Sequence, residues 1–210
     1  MALKRLLFFA ICCAVVCGGV SSTRACSLKV GWEEWSPYIF ARDGRCYGSE
    51  YETLTAVAQD AGCAIEMVNV PWQRALTLLA RSELDILYSA GYSAERGEFA
   101  AFSIPYRAER VVLVRRDVGD RDSDEAVSLE DWLSAGAASA EPHYLGVILG
   151  NFYGDRIDGV LKRFDDGENI RRFSEDDQMI RTLNAGRIHG YLIESGIFED
   201  HAKRGGAFFY

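Results

Sequence analysis

The sequence predicts an α/β protein made of two lobes. Three observations carry this reading. Strand-like and helix-like segments alternate through most of the chain. A charged stretch near the middle, residues 117–124, interrupts the alternation. The same rhythm then resumes. With 210 residues, 49% hydrophobic and 26% charged, the chain can bury a core, and its length fits one large domain or two small ones. No internal repeat or low-complexity tract is present, which disfavours solenoids and disordered scaffolds.

Residues 1–25 stand apart from this rhythm. Lys4 and Arg5 precede an uncharged run over 6–20, and Ser21, Ser22 and Thr23 follow it. That order is the pattern of a secretory signal peptide and predicts an exported, periplasmic protein. A membrane-spanning helix is the competing reading, but a span needs about 20 apolar residues, and Gly18 and Gly19 dilute this run. Cleavage is expected after Ala25 or Ser22. A lipid anchor on Cys26 or Cys17 is disfavoured by the neighbouring Arg24 and Val16.

Beyond residue 25 the patterns predict a strand over 28–31, a helix over 49–61, a strand over 64–70 and a helix over 72–80. A short strand over 86–88, a turn-rich segment over 91–96 and a strand over 111–115 complete a first lobe, residues 26–116. The segment Asp-Val-Gly-Asp-Arg-Asp-Ser-Asp has no apolar periodicity and marks a linker over 117–125. In the second lobe, residues 126–210, Ser128 is expected to cap a helix containing Trp132. A strand over 144–149, a helix over 155–164 and a strand over 170–173 follow. Ser174 is then expected to cap a helix over 175–185, with Asp177 completing a capping-box variant. A strand over 191–193 and an apolar terminal strand over 207–210 close the reading.

Charge and cysteine content narrow the function. Loss of residues 1–25 removes Lys4, Arg5 and Arg24 and no acid, moving the formal charge from -8 to -11. An acidic surface argues against nucleic acid as a partner. Export leaves Cys26, Cys46 and Cys63, an odd number for an oxidising compartment. Cys46 and Cys63 are the expected disulfide pair, with two separately buried thiols as the alternative.

The chain contains no G-x-S-x-G, C-x-x-C, H-E-x-x-H, G-x-G-x-x-G or P-loop motif. His143, His189 and His201 have no metal-ligand spacing with one another or with cysteines. Gly146, Gly150 and Gly154 lie four apart without the Gly-Lys-Ser/Thr of a phosphate loop, so a strand-to-helix turn is the better account. Neither enzyme activity, metal nor cofactor is expected.

Several segments in order nevertheless form a pattern. The first is Gly31-Trp32-Glu33-Glu34-Trp35-Ser36-Pro37-Tyr38, followed by Gly48-Ser49-Glu50-Tyr51-Glu52-Thr53-Leu54. Next come Pro71-Trp72-Gln73-Arg74, Glu83-Leu84-Asp85, Ser93-Ala94-Glu95-Arg96 and Phe102-Ser103-Ile104-Pro105-Tyr106. The run from Leu145 to Tyr153 and the stretch Leu183-Asn184-Ala185-Gly186-Arg187-Ile188-His189-Gly190 complete it. Over roughly residues 28–210 the sequence resembles the family 3 bacterial extracellular solute-binding proteins.

The resemblance implies a type II periplasmic-binding-protein fold with a ligand cleft between the lobes. It implies a monomeric receptor for a small, polar, amino-acid-like ligand, with an ABC transporter permease or a sensor as its further partner. A dehydratase-like enzyme or a regulatory module on the same fold is the alternative. It also implies a return from the second lobe to the first; no such segment follows Tyr210.

Residue by residue, the resemblance makes Trp35 an aromatic wall of the cleft, with burial in the core as the alternative for it and for Trp32. Glu33 becomes a partner for a ligand amine and Glu52 the structural acid. Arg96 is placed to grip a ligand carboxylate, which a planar guanidinium suits because it donates two parallel hydrogen bonds. A surface ion pair with Glu95 or Glu98 is the alternative for Arg96. Ser89, Ala90 and Gly91 would line the pocket through their backbone. Asn151, Phe152 and Tyr153 stand where the family often has small hydroxyl residues, which predicts a bulkier, more aromatic pocket. Glu194 would meet the ligand amine or else be a solvated strand-end acid. His189 replaces a usual Asp.

Overall fold

The computed structural model describes residues 26–115, 127–139, 143–165 and 169–204. The signal-peptide reading of 1–25, the linker reading of 117–125 and the strand reading of 207–210 lie outside them. Two sheets organise the described chain. In the first, β1 (Cys26–Trp32) lies between two parallel neighbours, one of seven residues (Cys63–Asn69) and one of two (Ile86–Leu87). Between β1 and the first of these the chain makes a hairpin, β2 (Phe40–Arg42) with β3 (Arg45–Tyr47), and the helix α1 (Ser49–Asp60). Cys63–Asn69 is therefore β4, α2 (Trp72–Ala80) crosses back, and Ile86–Leu87 is β5.

The hairpin escaped the sequence reading. Its turn is Asp43-Gly44, both with positive φ (51° and 72°), the conformation whose twist matches the flanking strands. A four-residue helix, α3 (Ala94–Gly97), follows β5; the side chain of Ser93 caps it by accepting from the Arg96 N–H.

Residues 111–115 form a strand as expected but in the other sheet. This strand, β6 (Val111–Arg115), pairs antiparallel with β9 (Gly190–Glu194), so the chain changes sheets between β5 and β6 rather than after residue 116. Beside β9 runs β7 (Leu145–Ile148), parallel to it and to β8 (Ile170–Phe173), giving the order β6-β9-β7-β8. Every residue of β7 is buried, as a central strand covered on both faces requires.

Four helices pack on this second sheet: α4 (Leu129–Ala138), α5 (Asp155–Phe164), α6 (Asp176–Asn184) and α7 (Ser195–Lys203). Ser128 caps α4 as expected, accepting from the Asp131 N–H. Ser174 does not cap α6. That helix begins one residue later than predicted, at Asp176, behind Glu175, and carries no side-chain cap bond. Asp176 and Asp177 in its first turn give the N-terminus its favourable negative charge instead.

The disulfide expectation is also corrected. The bond joins Cys26 to Cys63, and Cys46 is a free thiol. Cys26 and Cys63 are directly paired residues at the same ends of β1 and β4, 4.4 Å apart at Cα, within the range a disulfide needs. Cys46 sits on the separate hairpin. Among the described residues no helix is long and apolar enough to cross a membrane.

Candidate ligand cleft

The two sheets face each other across a cleft, and all nine residues singled out in the sequence line it: Glu33, Trp35, Ser89, Gly91, Arg96, Asn151, Phe152, Tyr153 and Glu194. The strand ends deliver them. Glu33 directly follows β1, Ser89 and Gly91 follow β5, the loop 149–154 follows β7, and Glu194 ends β9. Of the two tryptophans, Trp32 belongs to the core, 8% exposed, while Trp35 is half-buried against the cleft.

Arg96 is buried and makes no ion pair among the described residues; its guanidinium is held by backbone carbonyls and rings. One terminal nitrogen donates to the Gly91 carbonyl at 2.7 Å and the other to the Gly150 carbonyl at 2.8 Å. Trp72 and Phe152 face the guanidinium carbon at 5.6 and 5.9 Å from their ring centres, within cation–π range. The Gly150 carbonyl also accepts from Trp72 Nε1 at 3.2 Å. Gly150 thus ties the second lobe to two side chains of the first. Its φ of 82° strains any side chain there, and a Cβ would also have to displace the flexible end of Gln73.

Glu33 serves a second purpose. Pro71 precedes α2 and offers that helix no side-chain cap, and Glu33 Oε2 accepts the otherwise unpaired Trp72 N–H at 2.8 Å. Burial pushes the Glu33 carboxyl up to about 7, opposed by this bond and reinforced by the charges of Asp176 and Glu175 across the cleft. The Tyr88 hydroxyl fixes the backbone of Glu33 by donating to its carbonyl at 3.2 Å.

Glu194 is not a solvated acid. Its Oε2 accepts the N–H groups of Gly196 (2.8 Å) and Ile197 (3.2 Å), capping α7, and the Tyr38 hydroxyl of the first lobe at 2.8 Å. Tyr153 lines the cleft with its ring, but its hydroxyl accepts from the Ile148 N–H at 2.8 Å and its own N–H donates to Asp158 at 2.8 Å. Both bonds hold the turn between β7 and α5. Phe152 packs beside Gly91, and Asn151 is exposed at the rim.

The buried acid of α1 is Glu50, 2% exposed, rather than Glu52, which is exposed. Glu50 pairs with Arg107 at 3.1 Å and accepts from the Tyr106 hydroxyl at 2.6 Å, and that hydroxyl in turn accepts from the Ser89 N–H. Arg107 also reaches Glu109 at 2.6 Å and lies over the rings of Trp35 and Tyr38. Ser89 is held at a positive φ of 49° at this junction, a rare conformation for a non-glycine residue.

The sequence reading missed four charged or aromatic lining residues, Trp72, Tyr88, Glu109 and Asp176. Burial raises the Asp176 carboxyl to about 6, with Asp177 adding to the shift. Among the described residues no group of His, Cys, Asp and Glu is arranged to hold a metal ion.

The family model for bacterial extracellular solute-binding proteins, family 3, matches residues 28–186. The chain belongs to that family. No curated protein matches the sequence. Solved structures share the fold. An ancestral arginine-binding protein bound to arginine is 21% identical, with a TM-score of 0.69, covering 86% of this chain and 75% of that one. Holo ArgBP from T. maritima is 24% identical, TM-score 0.68, covering 88% and 76%. AncCDT-1, an ancestral amino acid-binding protein described as a precursor of cyclohexadienyl dehydratase, is 22% identical, TM-score 0.66, covering 84% and 74%. The architecture is therefore the two-lobed periplasmic-binding-protein fold with a cleft between lobes.

Proposed function

We propose that the protein is an exported receptor that closes its lobes around a small amino-acid-like ligand and presents the closed form to a transporter permease or a sensor. The observation that carries this reading is the convergence of both lobes on one cleft, with Arg96 and Trp72 of the first bonded to Gly150 of the second. Contacts that exist only when the lobes meet make closure a two-state event, and a ligand touching both lobes shifts that equilibrium by its differential affinity. Family membership and the amino acids named with the similar structures support the ligand class. The N-terminal pattern of residues 1–25 supports export.

Within this reading Trp35 and Phe152 wall the ligand. Arg96 keeps N–H donors beyond the two it gives to carbonyls and offers them to the ligand carboxylate. A thermal-shift screen of the mature protein against the standard amino acids, followed by calorimetry, tests the proposal. At least one ligand is expected to raise the melting temperature, and no response to any of them overturns the receptor reading. Arg96→Ala is expected to weaken the bound ligand by about 1.5–3 kcal/mol, the range for a hydrogen bond to a charged group; unchanged affinity removes Arg96 from the site. Chemical turnover of the bound compound, followed by mass spectrometry, would replace the receptor with an enzyme.

A further inference from the structure

The charges of the cleft are unevenly satisfied. Four carboxylates line it, Glu33, Glu109, Asp176 and Glu194, against the guanidinium of Arg96. Glu194 accepts four hydrogen bonds, and Glu109 is paired with Arg107. Glu33 has a single side-chain partner, the Trp72 N–H, and the Asp176 carboxylate has no hydrogen-bond or ion-pair partner among the described residues. These two under-compensated acids come from opposite lobes, Glu33 from the end of β1 and Asp176 from the first turn of α6. They line a second cavity together as well, which shares Trp35, Ile148 and Ile197 with the first. Asp176 also acts on Tyr191, whose side chain is fully buried and whose hydroxyl has no hydrogen-bond partner among the described residues.

We propose that the ligand carries a cationic ammonium or guanidinium group beyond any zwitterionic charge, and that this group is held between Glu33 and Asp176, one carboxylate from each lobe. The proposal rests on the receptor reading of the same cleft and names its ligand class. Two like charges brought together by closure oppose it, because each disfavours ionisation of the other. A cation between them turns that repulsion into two charge-assisted contacts made only in the closed state. Recognition and closure then have the same cause.

Protons are the competing occupants. Glu33 is raised to about 7 and Asp176 to about 6, so both gain protons as the pH falls through that interval. A cation binds the ionised pair and displaces protons; affinity rises as the pH increases through 6–7 and is lost below it. Other charged groups face the pair. Glu175 and Asp177 flank Asp176 on α6, Glu34 follows Glu33, and Glu194 and Glu109 stand across the cleft. Arg96 on α3 and Arg204, which pairs with Asp200 and lines the second cavity, supply the positive charge, and the His201 ring faces Asp177 at 3.6 Å. Tyr88 and Tyr153 line the floor, and burial raises both hydroxyls far above the interval in which the acids titrate.

Calorimetry with L-arginine, L-lysine, L-glutamine, L-glutamate and agmatine tests the proposal. Arginine or lysine is expected to bind at least about tenfold tighter than glutamine or glutamate, and D176N and E33Q to reduce that preference by about tenfold each. Wild-type binding near pH 6.5 in buffers of different ionisation enthalpy is expected to release protons, a readout that survives if a variant fails to fold. Agmatine binding as tightly as arginine supports the cation site while removing the ligand carboxylate from the receptor reading. Glutamine or glutamate binding as tightly as arginine, with no proton release, overturns the cation site and leaves the receptor reading standing. Failure of all five ligands to bind overturns the cation site; the wider thermal-shift screen then decides the receptor reading separately.

Discussion

The second lobe withdraws Leu145, Met179 and Tyr191 completely from solvent and buries every residue of β7, whereas in the first lobe no residue of β4 is fully buried. The first lobe compensates with ties of another kind. Cys26–Cys63 joins β1 to β4, and the buried Glu50 gathers Arg107 and Tyr106 beneath the cleft. Apolar packing stabilises in proportion to buried area, while a cross-link acts largely by restricting the unfolded chain. The second lobe therefore leans more on apolar packing, while the first adds specific bonds to a smaller core around Val30 and Ile39, and substitutions should separate the two.

The largest effect is expected from the disulfide. Its cysteines are 37 residues apart in sequence, and on the chain-entropy account a loop of that length contributes about 4 kcal/mol. Cys26→Ala with Cys63→Ala should lower stability by about that amount in denaturant unfolding. Native-state hydrogen exchange should show the loss in β1 and β4 and leave β7 and β9 protected. An equal loss of protection in both sheets would show that the lobes unfold as one unit and dissolve the contrast.

The converse comes next in size. Leu145→Ala opens a cavity in a strand buried along its whole length and is expected to cost about 3 kcal/mol, within the range for core leucines. Exchange should now quicken in β7, β8 and β9 while β1 and β4 hold. Cost below about 1 kcal/mol would mean that this core collapses around the loss, and the second lobe would not be the more tightly packed of the two.

How legible this arrangement is in sequence differs between the lobes for the same physical reason. Apolar periodicity bounds α2, α5, β6 and β8 to the residue, because packing selects those positions. The features that escaped are made by polar or through-space events. The Asp43-Gly44 turn is flanked by arginines rather than apolar residues, so its hairpin is muted. α7 is capped by Glu194, an acid outside the usual cap residues, and fully buries only Ile197. The Cys26–Cys63 bond follows from strand register, which a single sequence does not display. Nor does it display that β6 leaves its neighbours in sequence to pair with β9. In the cleft, motifs pointed to Arg96, Glu33 and Glu194 as residues, but not to their partners. Asp176 was hidden because its place at a helix start reads as capping alone.

The smallest predicted effect bears on what lies between the lobes. The Tyr38 hydroxyl donates to Glu194 Oε2, while its ring packs against the second lobe's core beside Trp35. Tyr38→Phe keeps the ring and removes one hydrogen bond to a charged acceptor. Glu194 retains the Gly196 and Ile197 N–H groups, so the carboxylate is not stranded and α7 stays capped. The cost should therefore stay near 1 kcal/mol, below the 1.5–3 typical of a charged hydrogen bond. Because the bond spans the cleft, its loss should fall on closure rather than on either fold. Ligand affinity should weaken about fivefold while exchange protection in β1 and β7 is unchanged. Loss of protection in one sheet with unaltered affinity would make Tyr38 part of that lobe's scaffold and leave Arg96 and Trp72, through Gly150, as the tie that ligand binding reinforces.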